Sequence, residues 1–509
     1  MSRPLLQLLF IELLFANNLV CLKRKKVIPL HNLLYYLEQS AHVYPDKIAF
    51  SDENENVTFS QLKDIGRCVG MAIANEAQGL RLPIAVLTCH RVADIVAFVG
   101  ALYAGCFYVP VDGTSPKEYI ASRLSTIAPA MTIDAKTISE LPQVNPIETT
   151  LDRIRNSILP NDPAYAIFTS GSTGTPKAAV ISHGSAVNLV EWLAETFDFS
   201  EQTVFAGQCP FYFDASVKEI YSTLKNAATM HLIPRKFFSF PLKVMRYIEE
   251  VGANVLPWAV SAVKMMANSG VFDRFVPTGI KDVIFGGENM PSKTLNTWKN
   301  AMPETRFTNV YGPAEITVDC AYYTVDRSFP DGESIPIGRP CRNVELLLLD
   351  EDAKPVPQGE AGEIYVRGVG VGLGYWNDPA RTSTAFVQNP LNHSFRDIVY
   401  RTGDIAKYNQ YGELVFLSRA DYQVKHMGSR IELGEIETAA TGIEGIHLVC
   451  CIYDKENSKI LLYYEGSISE KEVAKMLDTR LPRYMQPNII TKIDKMPTTP
   501  NGKIDRNGL

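Results

Sequence analysis

Short apolar runs alternate with longer amphipathic stretches from about residue 31 to about residue 330, and this alternation limits the possible folds more than any other feature. LPIAVLTC (82–89) is followed by VADIVAFVGALYAG (92–105) and then by CFYVPVD (106–112). The outer runs have the length and composition of buried strands, and the middle run has helical periodicity. A strand, a helix and a strand in this order predict a parallel sheet in an α/β fold.

The pattern changes in the last third of the chain. VELLLLDEDAKPVPQGEAGEIYVRG (344–368) and residues 400–432 contain apolar runs separated by Pro, Gly and Asp, with Tyr411-Gly412 as one turn. Such runs predict successive hairpins. LGEIETAATGI and SEKEVAKMLDTRL then have the pattern of helices. The pattern therefore predicts that a β-rich stretch and then a shorter α+β stretch follow the α/β part of the chain.

The composition excludes several classes of protein. The 509 residues include 50 Lys and Arg against 56 Asp and Glu, and this near balance argues against a protein that coats nucleic acid. The nine cysteines form no CxxC pair and the eight histidines no HExxH motif. A zinc site and a disulfide framework are therefore disfavoured, and a cytoplasmic protein is expected.

Residues 1–30 are the compositional exception. PLLQLLFIELLFANNLVC (4–21) is apolar, and KRKK (23–26) follows it, whereas a signal peptide has its positive charge before the apolar run. Glu12 interrupts the run, and a charge at the centre of a membrane helix costs about 2.5–3.5 kcal/mol. We expect an apolar N-terminal extension that is a packed or frayed helix or results from an upstream start site, with a weak membrane anchor as the alternative.

The most informative motif is FTSGSTGTPK (168–177), which directly follows a strand-like run. Its two glycines let backbone N–H groups approach an anion, its hydroxyls donate hydrogen bonds, and Lys177 adds a positive charge. This composition suits a polyphosphate. The spacing differs from the GxxxxGK[ST] motif of P-loop proteins, and a flexible linker is the alternative interpretation.

FTSGSTGTPK resembles the phosphate loop of the adenylate-forming enzymes, a superfamily that includes acyl-CoA synthetases, luciferases and the adenylation domains of nonribosomal peptide synthetases. Further matching segments follow in the family's order and extend to the C-terminus: FDAS (213–216), FGGE (285–288), NVYGPAE (309–315), GEIYVRGVGVGLGYWNDPART (362–382), YRTGD (400–404), SRADYQVKHMGSRIELGEIE (418–437) and PNGK (500–503). The last two are more similar to the amino-acid-activating branch. The resemblance implies a large adenylation domain with a β-rich end over residues 31–417 and a small mobile α+β lid over residues 418–509.

The resemblance implies a reaction in two steps. A carboxylate attacks the α-phosphorus of ATP to give an acyl-adenylate and pyrophosphate, and a thiol then attacks the acyl carbon. In the amino-acid branch that thiol belongs to phosphopantetheine on a carrier protein, which would act in trans or within a larger synthetase. A D-alanine–carrier protein ligase and an acyl- or aryl-CoA ligase are the alternatives.

The resemblance also assigns residues to ATP and Mg²⁺. The β- and γ-phosphates would be held by Thr169, Ser170, Gly171, Ser172, Thr173, Gly174 and Lys177. The adenosine would be held by Gly286, Gly287, Glu288, Asn309, Tyr311, Gly312, Asp404, Phe416 and Arg419. Glu315 would coordinate Mg²⁺, which prefers oxygen ligands.

Two residues of the predicted C-terminal domain are implied in chemistry and motion. Lys503 would be catalytic, because a positive charge near the substrate carboxylate and the α-phosphate stabilises the charge of the transition state. Asp421 would be the hinge about which the lid rotates between the two steps.

The pocket positions implied by the resemblance are Asp214, Ala215, Lys218, Val255, Ile284, Gly286, Val310, Val318, Asp319 and Lys503. Asp214 would pair with a substrate α-ammonium group, which fatty acids and aryl acids lack. A buried Lys218 needs an anionic partner, and a substrate side-chain carboxylate would be that partner. We therefore predict L-glutamate, and the pocket set resembles the one associated with glutamate except at Val255. In the alternative, Lys218 pairs internally with Asp319 and the substrate is a small polar or neutral amino acid.

Overall fold

The computed structural model describes residues 32–140, 147–169, 176–419, 423–426, 429–454, 457–497, 506 and 509. Several sequence predictions fall outside these ranges: the extension over residues 1–30, the phosphate-loop residues 170–174, the hinge residue Asp421 and the catalytic Lys503. Everything stated below about the structure concerns the described residues.

Several of the α-helices begin at residues whose side chains cap them. Thr58 and Ser469 each form a capping box with the residue three positions later, and the Ser182 hydroxyl accepts the Ser185 N–H. Such caps satisfy the free N–H groups of the first turn. The helices are α1 (Leu34–Val43), α2 (Phe59–Ala77), α3 (Val92–Tyr103), α4 (Lys117–Ile127), α5 (Ala135–Glu140), α6 (Glu148–Ser157), α7 (His183–Phe197), α8 (Ser216–Asn226), α9 (Pro241–Glu250), α10 (Val260–Asn268), α11 (Ser292–Ala301), α12 (Pro379–Ala385), α13 (Leu433–Thr441) and α14 (Glu470–Asp478).

Most strands of the first 330 residues are short and buried, as the apolar runs predict. The strands are β1 (Ile48–Ser51), β2 (Asn56–Thr58), β3 (Pro83–Thr88), β4 (Phe107–Asp112), β5 (Met131–Ile133), β6 (Pro163–Thr169), β7 (Lys177–Ser182), β8 (Val204–Gly207), β9 (Thr229–Leu232), β10 (Val255–Ala259), β11 (Asp282–Gly286), β12 (Arg306–Tyr311), β13 (Ala321–Thr324), β14 (Arg339–Pro340), β15 (Val344–Leu349), β16 (Gly362–Gly368), β17 (Gly374–Tyr375), β18 (Phe386–Gln388), β19 (Ile398–Tyr408), β20 (Leu414–Arg419), β21 (Gln423–His426), β22 (Ser429–Glu432), β23 (Ile446–Asp454), β24 (Lys459–Gly466) and β25 (Ile489–Lys492).

Two large sheets with parallel centres form the first part of the chain. One has the strand order β14-β13-β12-β11-β10-β8-β9-β1-β2, and the other has the order β17-β7-β6-β4-β3-β5. Strands β8 to β12 run parallel, and antiparallel strands are added at the edges. Helices α7 and α8 contribute side chains to the same buried cluster as strands of both sheets. This arrangement confirms the α/β fold predicted from the sequence.

The β-rich end and the C-terminal part also follow the prediction. Strands β15, β16, β19 and β18 form an antiparallel sheet with β20 alongside, and the Tyr411-Gly412 turn joins β19 to β20. After β20, the chain forms the β21–β22 hairpin, the three-stranded sheet β23-β24-β25, and helices α13 and α14 with their own buried cluster. The predicted boundary at residue 417 falls within β20.

Candidate active site

The residues at both ends of the predicted phosphate loop lie side by side. Thr169 ends β6 and Lys177 begins β7, and they are register partners in the antiparallel β6–β7 pair. The Lys177 Nζ atom is 3.5 Å from Oε1 of Glu315, and the Thr169 hydroxyl is also 3.5 Å from that oxygen. The structure therefore brings two predicted phosphate ligands next to the predicted metal ligand, although these residues are distant in sequence.

Tyr375 completes this cluster and is missing from the sequence assignment. Its hydroxyl donates to Glu315 Oε1 at 2.8 Å and accepts from Lys177 Nζ at 3.0 Å. Strand β17 places Tyr375 beside Ala179 of β7, and the Gly372 N–H donates to the Glu315 carbonyl oxygen. The segment GLGYWNDPART, which contains Tyr375, belongs to one of the matching motifs. Its position in that motif is the one feature of the sequence that could have pointed to Tyr375.

The donor set of this cluster suits Mg²⁺ only together with phosphate. Glu315 is completely buried and offers one carboxylate, and Thr169 offers one hydroxyl. Among the described residues, no group of three or more His, Cys, Asp or Glu side chains could hold a metal ion. Mg²⁺ commonly uses one or two carboxylates and completes its shell with water and substrate phosphates. Glu315 and Thr169 fit that role for an ATP-bound ion.

Asp404 is 2% exposed and lies between two donors. The Tyr311 hydroxyl donates to Oδ2, and the Arg419 guanidinium donates to Oδ1. Strand β19 carries Asp404, and Arg419 is its register partner on β20. Burial and the Asp404 charge together raise the pKa of Tyr311, which keeps that hydroxyl a hydrogen-bond donor. The carboxylate is thus held in one orientation, with lone pairs left on both oxygens for further donors.

The remaining residues assigned to adenosine lie on β11, β12 and β20 or directly after β11 and β12. Asn309 is on β12, where its Nδ2 donates to the Pro336 carbonyl oxygen at 2.8 Å. Phe416 is on β20 beside Ala406, and Glu288 acts electrostatically on Tyr453 of the C-terminal part. Gly287 has a φ of +88°, a backbone conformation that favours glycine.

A cavity of about 120 Å³ lies at the carboxyl ends of β10, β11 and β12. Its lining includes seven residues predicted for substrate or nucleotide binding in addition to Gly287 and Gly312, namely Asp214, Ala215, Lys218, Gly286, Val310, Val318 and Asp319. A Cβ atom on Gly312 would lie 2.2 Å from the Val318 carbonyl oxygen, so the wall can approach this closely only at a glycine. Ligands commonly bind at such strand ends in open α/β sheets.

Val255 and Ile284 lie elsewhere. Both are 2% exposed, and both belong to the buried cluster behind the strand ends rather than to the cavity lining. The cavity is lined instead by residues that the sequence assignment omitted: Gln208, Cys209, Pro210, Phe213, Pro257, Trp258 and Ala259. These residues follow β8 or belong to β10, and only the parallel pairing of those strands brings them to the cavity.

Lys218 and Asp319 form an ion pair inside this cavity. Lys218 Nζ is 3.1 Å from Asp319 Oδ2 and donates a hydrogen bond to Oδ1 at 3.3 Å. The two side chains are 9% and 4% exposed. Burial raises the pKa of Asp319, and the Lys218 charge opposes that rise. The pair that the sequence left as an alternative is therefore present.

Asp214 adds a second carboxylate to the cavity. It precedes α8, but the N-cap residue of that helix is Ala215 and no side chain caps it, so Asp214 does not act as the cap. Burial raises the pKa of Asp214 to about 6; the Lys218 charge lowers it, and the charges of Asp319 and Glu315 raise it. Two carboxylates and one ammonium group make the cavity attractive to a ligand cation.

Residues 37–376 match the model of a family described as AMP-binding enzyme, which is more than half of the chain. The chain belongs to the AMP-binding enzyme family. The predicted membership of the adenylate-forming, AMP-binding superfamily is confirmed by this match. The chain is also 32% identical to bacitracin synthase 1 of Bacillus licheniformis over 492 residues and 29% identical to tyrocidine synthase 1 of Brevibacillus parabrevis over 525 residues.

These matches cover 93% and 97% of the chain, which spans 9% of the bacitracin synthase and 47% of the tyrocidine synthase. Solved structures of other proteins share the fold. PA1221, described as a nonribosomal peptide synthetase protein containing adenylation and PCP domains, superimposes with a TM-score of 0.79 at 25% identity, covering 94% of this chain and 84% of that one. IdnL1 superimposes with a TM-score of 0.75 at 27% identity, covering 92% of this chain and 99% of that one.

In the part of the chain that the structure describes, no helix has both the length and the apolar character needed to cross a membrane.

Proposed function

We propose that this chain adenylates an α-amino acid with ATP and transfers the aminoacyl group to the phosphopantetheine thiol of a carrier protein. The observation that carries the proposal is the pair of adjoining sites: a Thr169, Lys177 and Glu315 cluster beside a cavity that contains Asp214. The first site suits Mg²⁺-bound phosphates, and the second suits a substrate ammonium group. We propose both sets of residues as binding sites.

The chemistry of the first step is mainly one of positioning and charge. A carboxylate and a triphosphate repel each other, so cations must neutralise both before the carboxylate oxygen can attack the α-phosphorus. Lys177 supplies one such charge and Mg²⁺ on Glu315 would supply another. Lys503, proposed as the catalytic residue, would supply a third at the reacting carboxylate. Asp404, held by Tyr311 and Arg419, would accept hydrogen bonds from the ribose hydroxyls.

The α-amino group is what separates this substrate class from fatty and aryl acids. At neutral pH the Asp214 carboxylate is ionised, because its pKa is about 6. An ammonium group placed against it would form a charge-assisted hydrogen bond in a partly desolvated cavity. An acyl- or aryl-CoA ligase has no use for such a carboxylate.

The side chain of the amino acid has two candidates. L-Glutamate is supported by Lys218, whose ammonium group has three N–H donors and uses one of them on Asp319 Oδ1, leaving donors for a substrate carboxylate. A neutral polar side chain is supported by the pair itself, because Asp319 already balances the charge of Lys218. The cavity volume of about 120 Å³ limits the size of either side chain, because a cavity of about 150 Å³ holds one benzene molecule.

Amino-acid-dependent exchange of pyrophosphate into ATP tests the proposal. The assay would cover all proteinogenic amino acids, D-alanine, and a panel of fatty and aryl acids. We expect exchange with an α-amino acid, loss of exchange in Asp214→Ala, and loss in Lys503→Ala. Exchange with fatty or aryl acids alone would refute the role given to Asp214.

A matched pair of variants on α8 tests the side-chain preference. Lys218→Ala should abolish glutamate exchange, whereas Lys225→Ala should preserve it, because Lys225 on the same helix pairs with Glu191 at 2.9 Å outside the cavity. Strong exchange by the native chain with glutamine or another neutral amino acid, and none with glutamate, would reject glutamate and keep the reaction. Loading of a phosphopantetheinylated carrier protein then tests the second step.

A further inference from the structure

A buried ion pair joins the C-terminal part of the chain to the large domain. The Arg123 guanidinium on α4 donates to Glu435 Oε1 in the first turn of α13, and the two side chains are 7% and 6% exposed. The Arg123 Cζ atom also lies 3.3 Å from the centre of the Tyr119 ring, one turn earlier on α4. Burial disfavours the charged guanidinium, but the attraction and hydrogen bond to Glu435, together with Tyr119 and Tyr484, outweigh it and raise the pKa of Arg123.

Aromatic contacts surround this ion pair. The hydroxyls of Tyr119 and Tyr484 are hydrogen-bonded at 2.9 Å, and Tyr119 packs within the buried cluster of the C-terminal part. The Tyr484 ring lies 6.2 Å from the Tyr212 ring and 5.8 Å from the Phe213 ring, measured between centres. Phe213 also lines the substrate cavity. The docked C-terminal part is therefore in contact with a wall of that cavity.

The space left between the docked parts is small. Asp112, Thr169 and Phe213 from the large domain and Glu435 and Tyr484 from the C-terminal part line a cavity of about 40 Å³. That volume accommodates only a few water molecules. A thiol on a long flexible arm does not pass between these residues while they are docked.

We propose that the Arg123–Glu435 ion pair is a clasp that keeps the C-terminal part over the substrate cavity while the aminoacyl-adenylate is held there. Arg123 and Glu435 are positioning residues in this proposal, which rests on the proposed function. Opening of the clasp would expose the acyl carbon to an acceptor. Without an acceptor, water would attack that carbon and the bond to the phosphate oxygen would break. The free amino acid and AMP would then leave, and a proton would pass to solvent.

The ion pair affects the stability of the docked state but not that of the undocked state, and this difference can be tested. Removing one partner of a buried ion pair leaves an uncompensated charge and is strongly destabilising, but only in the docked state. In the undocked state both groups are in water. A variant of either residue therefore shifts the population toward the undocked state without changing the substrate cavity.

Glu435→Gln is the test variant, and the readout is the ratio of two rates measured without carrier protein. We expect amino-acid-dependent AMP release to rise about tenfold or more relative to ATP–pyrophosphate exchange. Arg123→Gln should give the same change. Glu437→Gln is the matched control, because Glu437 lies on the same helix and pairs with Arg506 within the C-terminal part at 2.7 Å. An unchanged ratio in Glu435→Gln, or an equal rise in Glu437→Gln, would overturn the clasp.

Hydrogen exchange separates failure of the clasp from failure of the proposed function. Amides of α4 and α13 should lose protection in Glu435→Gln and keep it in Glu437→Gln, whatever substrate the chain uses. Unchanged protection in Glu435→Gln would overturn the clasp even if amino-acid activation is established. Absence of exchange with every amino acid in the native chain would refute the proposed function, and the protection of α4 and α13 would still decide whether the ion pair holds the parts together.

Discussion

The substitution Asp214→Asn should stabilise the protein and inactivate it. The pKa of Asp214 is about 6 in the folded chain, against about 3.9 for an unperturbed aspartate. An acid whose pKa is higher in the folded state binds more protons there, so the stability that it contributes falls as the pH rises. A rise of about two pKa units lowers the free energy of unfolding by about 3 kcal/mol at pH 8. About half of that loss is present at pH 5, and almost none of it remains well below the pKa of the unfolded chain.

Calorimetry at pH 5 and pH 8 would measure this effect. A cooperative unit the size of the large domain has an unfolding entropy of about 0.8 kcal/mol per kelvin, so the melting temperature of Asp214→Asn should exceed that of the native chain by about 4 °C at pH 8. At pH 5 the gain should be about half as large. The same variant should lose about 10²-fold or more in kcat/KM for the amino acid in pyrophosphate exchange, because the partner of the ammonium group is gone.

Asp46→Asn provides the control, because that carboxylate is exposed and should change neither quantity. A destabilised Asp214→Asn, or an equal gain at both pH values, would refute the argument that the Asp214 charge is held at a cost. Full exchange activity in Asp214→Asn would instead refute its role at the substrate.

Three further predictions follow from the buried contacts. Lys218→Met should destabilise the protein by about 3–5 kcal/mol, and adding Asp319→Leu should restore most of that loss. A double-mutant cycle measured by thermal unfolding tests this, and additive effects of the two substitutions would contradict the pairing. Tyr375→Phe should lower kcat/KM for ATP by about 10- to 100-fold, because Lys177 and Glu315 each lose a hydrogen bond. An unchanged kcat/KM and an unchanged dependence on Mg²⁺ concentration would contradict this prediction. Arg419→Gln should raise the KM for ATP at least about tenfold by releasing the Asp404 carboxylate, while Arg419→Lys should be less affected; equal effects would contradict an electrostatic role.

The sequence predicted the elements of the fold well where a local pattern decides them. The runs at residues 82–89, 92–105 and 106–112 form β3, α3 and β4, and the Tyr411-Gly412 turn lies between two antiparallel strands. Hydrophobic periodicity and turn residues act over a few neighbouring positions, so they can be read without tertiary information. The composition of the phosphate motif is also local information, and the anion ligand that it indicates stays a prediction.

The contacts of the site could not be predicted in the same way. Tyr375 reaches Glu315 only because β17 pairs with β7, and Val255 lies behind the cavity only because β10 is buried between its neighbours. From the sequence, the partner of Lys218 could be a substrate carboxylate or Asp319, and only the fold places Asp319 beside it from 101 positions away. Such contacts depend on the register of strands that are far apart in sequence, so no local pattern contains them.

The sequence by itself thus determined the family, because the motifs that identify it are residue types in a fixed order along the chain. The tertiary structure alone decided which charges neutralise one another, as in the pairs Lys177–Glu315, Lys218–Asp319 and Arg123–Glu435. The physical reason is that the strength of a charge interaction depends on distance and burial, and both are set only when the sheets, the helices between them and the C-terminal part pack together.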